Sequence, residues 1–203
     1  MKALWLLVPR LLLPGMLLLA SAAPFWEAKP PGEWTVEEAQ SLLFDSPWAM
    51  TAQAGKDSLA APVWVYVASA EPAILAEDRL RASRKSRDED PSWTEYREYL
   101  TENAGKYIVI AIGGANPRDL LDNSETRRVE DESRLRIGKR KYKIVGHFPP
   151  SSTDPFVRLV FPRDLQPGDR SLAFEVYVPG TGAPYRQVEF RLKDMVYRGH
   201  PSY

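Results

Sequence analysis

Apolar residues recur along this chain at two spacings, one near 3.6 residues and one of 2, and these predict helices in the first half and strands in the second. Val36, Ala39, Leu42 and Leu43 follow helical spacing directly after Thr35-Val36-Glu37-Glu38. That tetrad is a capping box, in which the Thr35 hydroxyl can accept from the Glu38 amide while the Glu38 carboxylate reaches back to the Thr35 amide. The helix should stop at Ser46, because Pro47 pushes its predecessor out of the helical region. Upstream, Pro24, Pro30, Pro31 and Gly32 predict an extended lead-in over residues 24–33 rather than a packed element.

Pro62 to Ala68 is rich in branched and aromatic residues and reads as a buried strand. Two charged helices are expected next. One runs from Glu71 to Lys85 on a thin stripe of Ile74, Leu75 and Leu80; the other starts at a second capping box, Ser92-Trp93-Thr94-Glu95, and ends near Gly105. Between them, Arg84 to Asp90 reads as a self-neutralising solvated linker. Lys106 to Ile112 is apolar on both faces, the mark of a strand in a sheet interior.

From Ser133 onward the pattern is strands alone. Leu135 and Ile137 alternate with Arg134 and Arg136, Tyr142 to Val145 returns after Gly138, and Phe156 to Phe161 is closed by Pro162. A last hairpin sets Leu172, Phe174, Val176 and Val178 with Val188, Phe190 and Leu192 toward a core, and Glu175, Gln187, Glu189 and Arg191 toward solvent. The fold class expected is α+β, with N-terminal helices on a mixed sheet and a C-terminal antiparallel meander. Residues 34–199 are expected to form one domain, with a subdivision near 122–132 as the alternative, and 200–203 a tail.

The first 22 residues add an address. Lys2 and Arg10 supply positive charge, Leu11 to Leu19 form a short apolar run, and Ala20-Ser21-Ala22 has the small-x-small pattern of a signal peptidase site. Cleavage after Ala22 is expected, since a spanning helix needs about 20 unbroken apolar residues. The expected location is periplasmic or extracellular, with membrane contact only through the leader. The leader carries two of the 27 basic residues and none of the 27 acidic ones, which leaves the rest at a formal charge of −2. So near a balance provides no global field for nucleic acid or anionic membranes.

Composition then narrows the chemistry. The chain has no cysteine, which removes thiol catalysis, thiolate zinc sites and iron–sulfur clusters and leaves an exported fold to its hydrophobic core. Neither histidine, His147 nor His200, sits in a ligand-spaced pair, and His200 lies in a Gly-His-Pro-Ser context expected to be mobile. No cofactor or metal site is expected, and no G-x-S-x-G, H-E-x-x-H or S-x-x-K motif occurs. Gly113-Gly114-Ala115-Asn116-Pro117 follows a strand as a phosphate cradle would, but its spacing fits neither nucleotide fingerprint, and a cap at Asn116 with Pro117 at the first helical position explains it.

Basic residues cluster from Arg127 to Lys143. If Gly138 turns a hairpin, Arg134, Arg136, Lys141 and Lys143 share one sheet face, which is either an ordinary solvated strand face or a candidate site for an anionic glycan, a lipid headgroup or an acidic envelope protein. The five tryptophans after the leader, Trp26, Trp34, Trp48, Trp64 and Trp93, could stack on sugars if exposed. Trp64 in its strand, and Trp34 and Trp48 beside their helix, are expected to be core anchors, leaving Trp26 to fold back or meet a partner.

Three stretches carry a resemblance. Trp34-x-x-Glu37-Glu38-Ala39-x-x-Leu42-Leu43-x-x-Ser46-Pro47-Trp48, Phe161-Pro162-Arg163 and Leu192-Lys193-Asp194-Met195-Val196-Tyr197-Arg198-Gly199 resemble a group of uncharacterised exported bacterial proteins of acidobacterial type. The resemblance implies that residues 34–199 act as one unit and implies no activity. The function expected is an exported, non-enzymatic binding or envelope-associated protein. A hydrolase of envelope polymers using carboxylates gathered by folding, or a single-pass protein displaying the domain outside, are the alternatives.

Overall fold

A computed structural model describes residues 23–52, 54, 60–84, 90–114, 122–151 and 153–203. The leader, Asn116 and Pro117, and residues 85–89 of the charged linker lie outside the described residues. The class is α+β. Every strand pairing in the described residues is antiparallel, and the strands divide between two main sheets where one mixed sheet was expected.

The first sheet has the order β1-β2-β3-β7-β6, from β1 (Ala49–Ala52), β2 (Val63–Val67), β3 (Tyr107–Gly113), β6 (Gly146–Phe148) and β7 (Val157–Pro162). The second has the order β5-β4-β8-β9, from β4 (Arg134–Ile137), β5 (Arg140–Lys143), β8 (Ser171–Tyr177) and β9 (Tyr185–Arg191). Central strand β3 is buried along both faces from Ile108 to Gly113, because one face meets helices and the other meets the second sheet. Between the sheets, the rings of Phe161 and Phe174 lie 5.4 Å apart, and Phe174 meets Phe190 edge-on at 6.0 Å. Leu135, Ile137, Leu172, Val176 and Val188 fill the same layer, in one contiguous apolar cluster that also takes in the helical half.

Helix α1 (Phe25–Ala28) and a 3-10 turn at Pro31–Glu33 replace the extended lead-in that the prolines predict. Phe25 and Trp26 fold back, Phe25 edge-on to Trp34 at 5.5 Å and Trp26 edge-on to Trp48 at 5.8 Å. Prolines set the backbone here, but apolar burial decides where it goes. Helix α2 (Val36–Phe44) carries both hydrogen bonds of the capping box, Glu38 N to Thr35 Oγ1 at 3.1 Å and Thr35 N to Glu38 Oε2 at 2.9 Å.

Helix α3 (Glu71–Ser83) buries Pro72, Ala73, Ala76 and Glu77, a face of small residues with one carboxylate, while Ile74, Leu75 and Leu80 are only half-buried. Helix α4 (Pro91–Glu102) has its N-cap two residues before the Ser92 expected for that role. Asp90 is its N-cap, accepting from the amides of Ser92 at 3.1 Å and Trp93 at 3.4 Å, with Pro91 at the first helical position. Asp90 is therefore buried, not part of a solvated linker.

The stretch read as a charged break is helix α5 (Asn123–Glu132), capped by Asp122 on the Ser124 amide at 2.7 Å. Val129 alone among its residues is buried, so the helix offers no apolar periodicity to detect. The C-terminus is also ordered. Strands β10 (Val196–Tyr197) and β11 (His200–Pro201) form a hairpin whose two turn residues, Arg198 and Gly199, both have positive φ, as the tightest hairpin turn requires.

Candidate functional site

The four sequence-selected cations do share a face. In the β4–β5 ladder Arg134 stands opposite Lys143 and Arg136 opposite Lys141, while Leu135 and Tyr142 point the other way. Gly138 makes this register possible, since it opens the two-residue turn at φ 58, a conformation that side chains resist. The ladder continues across β8 and β9. One row reads Lys143, Arg134, Glu175, Gln187 and the next Lys141, Arg136, Ala173, Glu189.

The four differ in their freedom to meet a ligand. The Arg134 guanidinium donates to the carbonyls of Glu130, Asp131 and Ser133, with the Ser133 bond at 2.6 Å. It thus caps the last turn of α5, where unpaired carbonyls and the helix dipole favour a cation, and is a structural element of the face. Lys143 pairs with Asp131 at 3.5 Å, both side chains well exposed, and screening leaves such a pair weak. Among the described residues Arg136 reaches only the Gly138 carbonyl at 3.4 Å, and Lys141 has no polar partner. Arg136 and Lys141 are exposed cations with no carboxylate partner among the described residues.

Helix α5 covers one end of the face. Its Arg128 bridges Glu132 at 3.0 Å and Glu125 at 3.4 Å, and its guanidinium lies 4.2 Å over the Tyr177 ring. The Tyr177 hydroxyl donates to Glu125 at 2.7 Å; burial first, and this bond to a carboxylate second, push that phenol up to about 12. The Tyr185 hydroxyl donates to Glu132, whose carboxyl is held below its ordinary value by that bond and by Arg128. Tyr185 nevertheless keeps 57% of its surface in solvent, so its ring is fixed in direction and free on one side. Beyond the helix the face lies open, and at Ala173, flanked by Arg136, Glu175, Gln187 and Glu189, it dips into a hollow of about 180 Å³.

A second polar constellation was not found by sequence reasoning. Glu77 on α3 and Arg158 on β7, each with 4% of its side chain exposed, are bonded at 2.8 Å inside the layer between the first sheet and the helices. Tyr66 donates to Glu77 at 2.6 Å and Tyr96 at 3.4 Å, while Arg158 also takes Asp154 at 2.6 Å and lies 4.2 Å over the Tyr96 ring. Burial, and then the charge of Glu77, hold both phenols well above the ordinary tyrosine value, so they stay neutral donors. Burial works against the Arg158 charge, but Glu77 and the groups around it outweigh that and keep it protonated. A lone arginine inside Phe156-Val157-Arg158-Leu159-Val160-Phe161 was the available signal, because a strand apolar on both faces buries a charge only with a partner.

This cluster also bears on the hydrolase alternative. Its two inward carboxylates, Glu77 and Asp154, are both committed to Arg158, and the adjoining cavity of about 50 Å³ has room for a few water molecules. No group of three or more metal-ligating side chains occurs among the described residues, and none of their helices is long and apolar enough to cross a membrane. His147 faces Glu130 at 3.2 Å and His200 is exposed on β11. Of the tryptophans, Trp34 and Trp48 are fully buried, whereas Trp64 is 40% exposed and lies edge-on to Phe44 at 5.8 Å. Trp64 points to the helical side of the first sheet near its β1 edge, where the cover is incomplete, so it is no core anchor.

The chain matches no protein-family model, and no curated protein or solved structure is significantly similar to it. Function therefore rests on the site alone.

Proposed function

We propose that this protein is exported, loses its leader after Ala22, and binds an anionic partner in the cell envelope through the open face of the β4–β5 hairpin, without catalysing a reaction. The observation that carries this reading is the register that sets Arg136 opposite Lys141 and Arg134 opposite Lys143. Like charges directly opposite one another weaken a sheet; Arg134 already meets the α5 carbonyls and Lys143 meets Asp131, so Arg136 with Lys141 is the pair that an incoming anion would relieve. The chain as a whole is charge-balanced, which makes the cationic patch local and directional.

The test is retention of the purified protein on an immobilised carboxylate polymer. Retention is expected at low ionic strength, release at about 1 M salt where screening is nearly complete, and no retention of an Arg136→Gln/Lys141→Gln variant. Retention equal for both proteins would refute it. The export half is tested separately by the mass of the protein recovered from the producing cell, expected to begin at Ala23.

A further inference from the structure

The cations are only half of the open face, and hydrogen-bond acceptors occupy the other half. Moving along the row from Lys141 and Arg136, the next exposed side chain past Ala173 is Glu189, and in the neighbouring row Glu175 and Gln187 follow Arg134. Glu175 and Glu189 are not tied to these cations by any ion pair among the described residues; Glu189 accepts from the Ser171 hydroxyl through Oε1, which leaves Oε2 for a ligand. The hollow at Ala173 thus has a cation on one wall and acceptors on the other. Four residues along β9 from Glu189, about 14 Å at ~3.4 Å per residue, stands the exposed ring of Tyr185. Its hydroxyl bond to Glu132 and edge contact with Tyr177 at 5.6 Å set that ring before any ligand arrives.

We infer that this face binds an acidic oligosaccharide, a chain of uronic-acid-type sugars whose carboxylates meet Arg136 and Lys141 and whose hydroxyls donate to Glu175, Glu189 and Gln187. The inference rests on the proposed function and names the ligand class of the same site. A uronic acid carries an anion and hydroxyl donors on one ring, which is what a wall of cations facing a wall of acceptors demands. Ala173 supplies the missing volume for the ring, and Tyr185 supplies an apolar face with a polar tip, suited to the C–H face of a neighbouring sugar. Phosphate polymers satisfy the cations but bring no donors to the carboxylates.

The experiment is calorimetric titration of the full chain as it is recovered, with a short oligogalacturonate as probe and an inorganic polyphosphate of equal charge as comparator. The oligogalacturonate is expected to bind more tightly than the polyphosphate. Arg136→Gln should weaken both by about tenfold, the factor that one lost charge-assisted bond gives. Glu189→Gln should weaken the sugar while strengthening the polyphosphate, and Tyr185→Ala should weaken only the sugar. Tyr185→Phe, which keeps the ring but loses the bond to Glu132, should weaken the sugar less than Tyr185→Ala does, and an unchanged circular dichroism spectrum for both variants controls for folding. Polyphosphate bound as well as the sugar, with Glu189→Gln strengthening both, would overturn the inference and leave the cationic face standing. Binding of neither probe would overturn both.

Discussion

The indole Nε1 of Trp48 donates to the Ser202 carbonyl at 2.7 Å, joining two residues 154 positions apart inside the core. The same serine accepts from the Glu71 amide through its hydroxyl at 2.9 Å, which caps α3, a helix whose own N-cap position is an alanine. The C-terminus is thus an N-cap supplied from the far end of the chain, and the expectation of a mobile tail at His200 fails for that reason. Ser202→Ala should cost about 1 kcal/mol, the usual loss of a cap. Removal of residues 200–203 should cost more and shift tryptophan emission to the red as Trp48 meets water. Urea midpoints followed by fluorescence check both, and an unchanged midpoint for the truncated chain would refute the capping role.

The Glu77–Arg158 pair predicts a strong non-additivity. Arg158→Met leaves a buried carboxylate without its cation and should cost about 3–5 kcal/mol; Glu77→Met does the converse. The double replacement should cost clearly less than the sum, because no unpaired charge remains. A double-mutant cycle by chemical denaturation measures the coupling. Additive losses would mean that the two residues do not act as a pair.

Acid sensitivity is expected at Asp90. Burial raises its carboxyl, but hydrogen bonds from Thr153, Ser151 and the Trp93 and Ser92 amides outweigh that and hold it below the ordinary 3.8. A carboxyl lowered by folding stabilises the native state above its unfolded value and loses that contribution as pH falls through the folded one. Stability should therefore fall with acidification below about pH 4, and Asp90→Asn should flatten part of the fall. Denaturation midpoints measured from pH 6 to pH 2 decide this. Parallel curves for the two proteins would remove Asp90 from the account.

Local chemistry was the legible part of this chain. The Thr35 capping box, the two-faced strand at Lys106–Ile112 and the alternation around Gly138 each state their geometry within a few residues, and the structure follows them. What escaped reading depends on distant partners. Helix α5 has a single buried apolar residue and is held by Tyr177, Tyr185 and Arg134 from strands that follow it. Trp64 has the composition of a core strand, but its exposure depends on how far the helices extend over the sheet. The candidate face was visible as four cations; that Arg134 caps a helix, and that carboxylates share the surface, required the register of β8 and β9.

Lys141→Glu separates stability from binding in one protein. The new carboxylate would face Arg136 across the ladder and turn a like-charged pair into an opposite one. The variant should melt no lower than the parent, and slightly higher at low salt, while its retention on a carboxylate polymer disappears. A variant retained as firmly as the parent would contradict binding through this face.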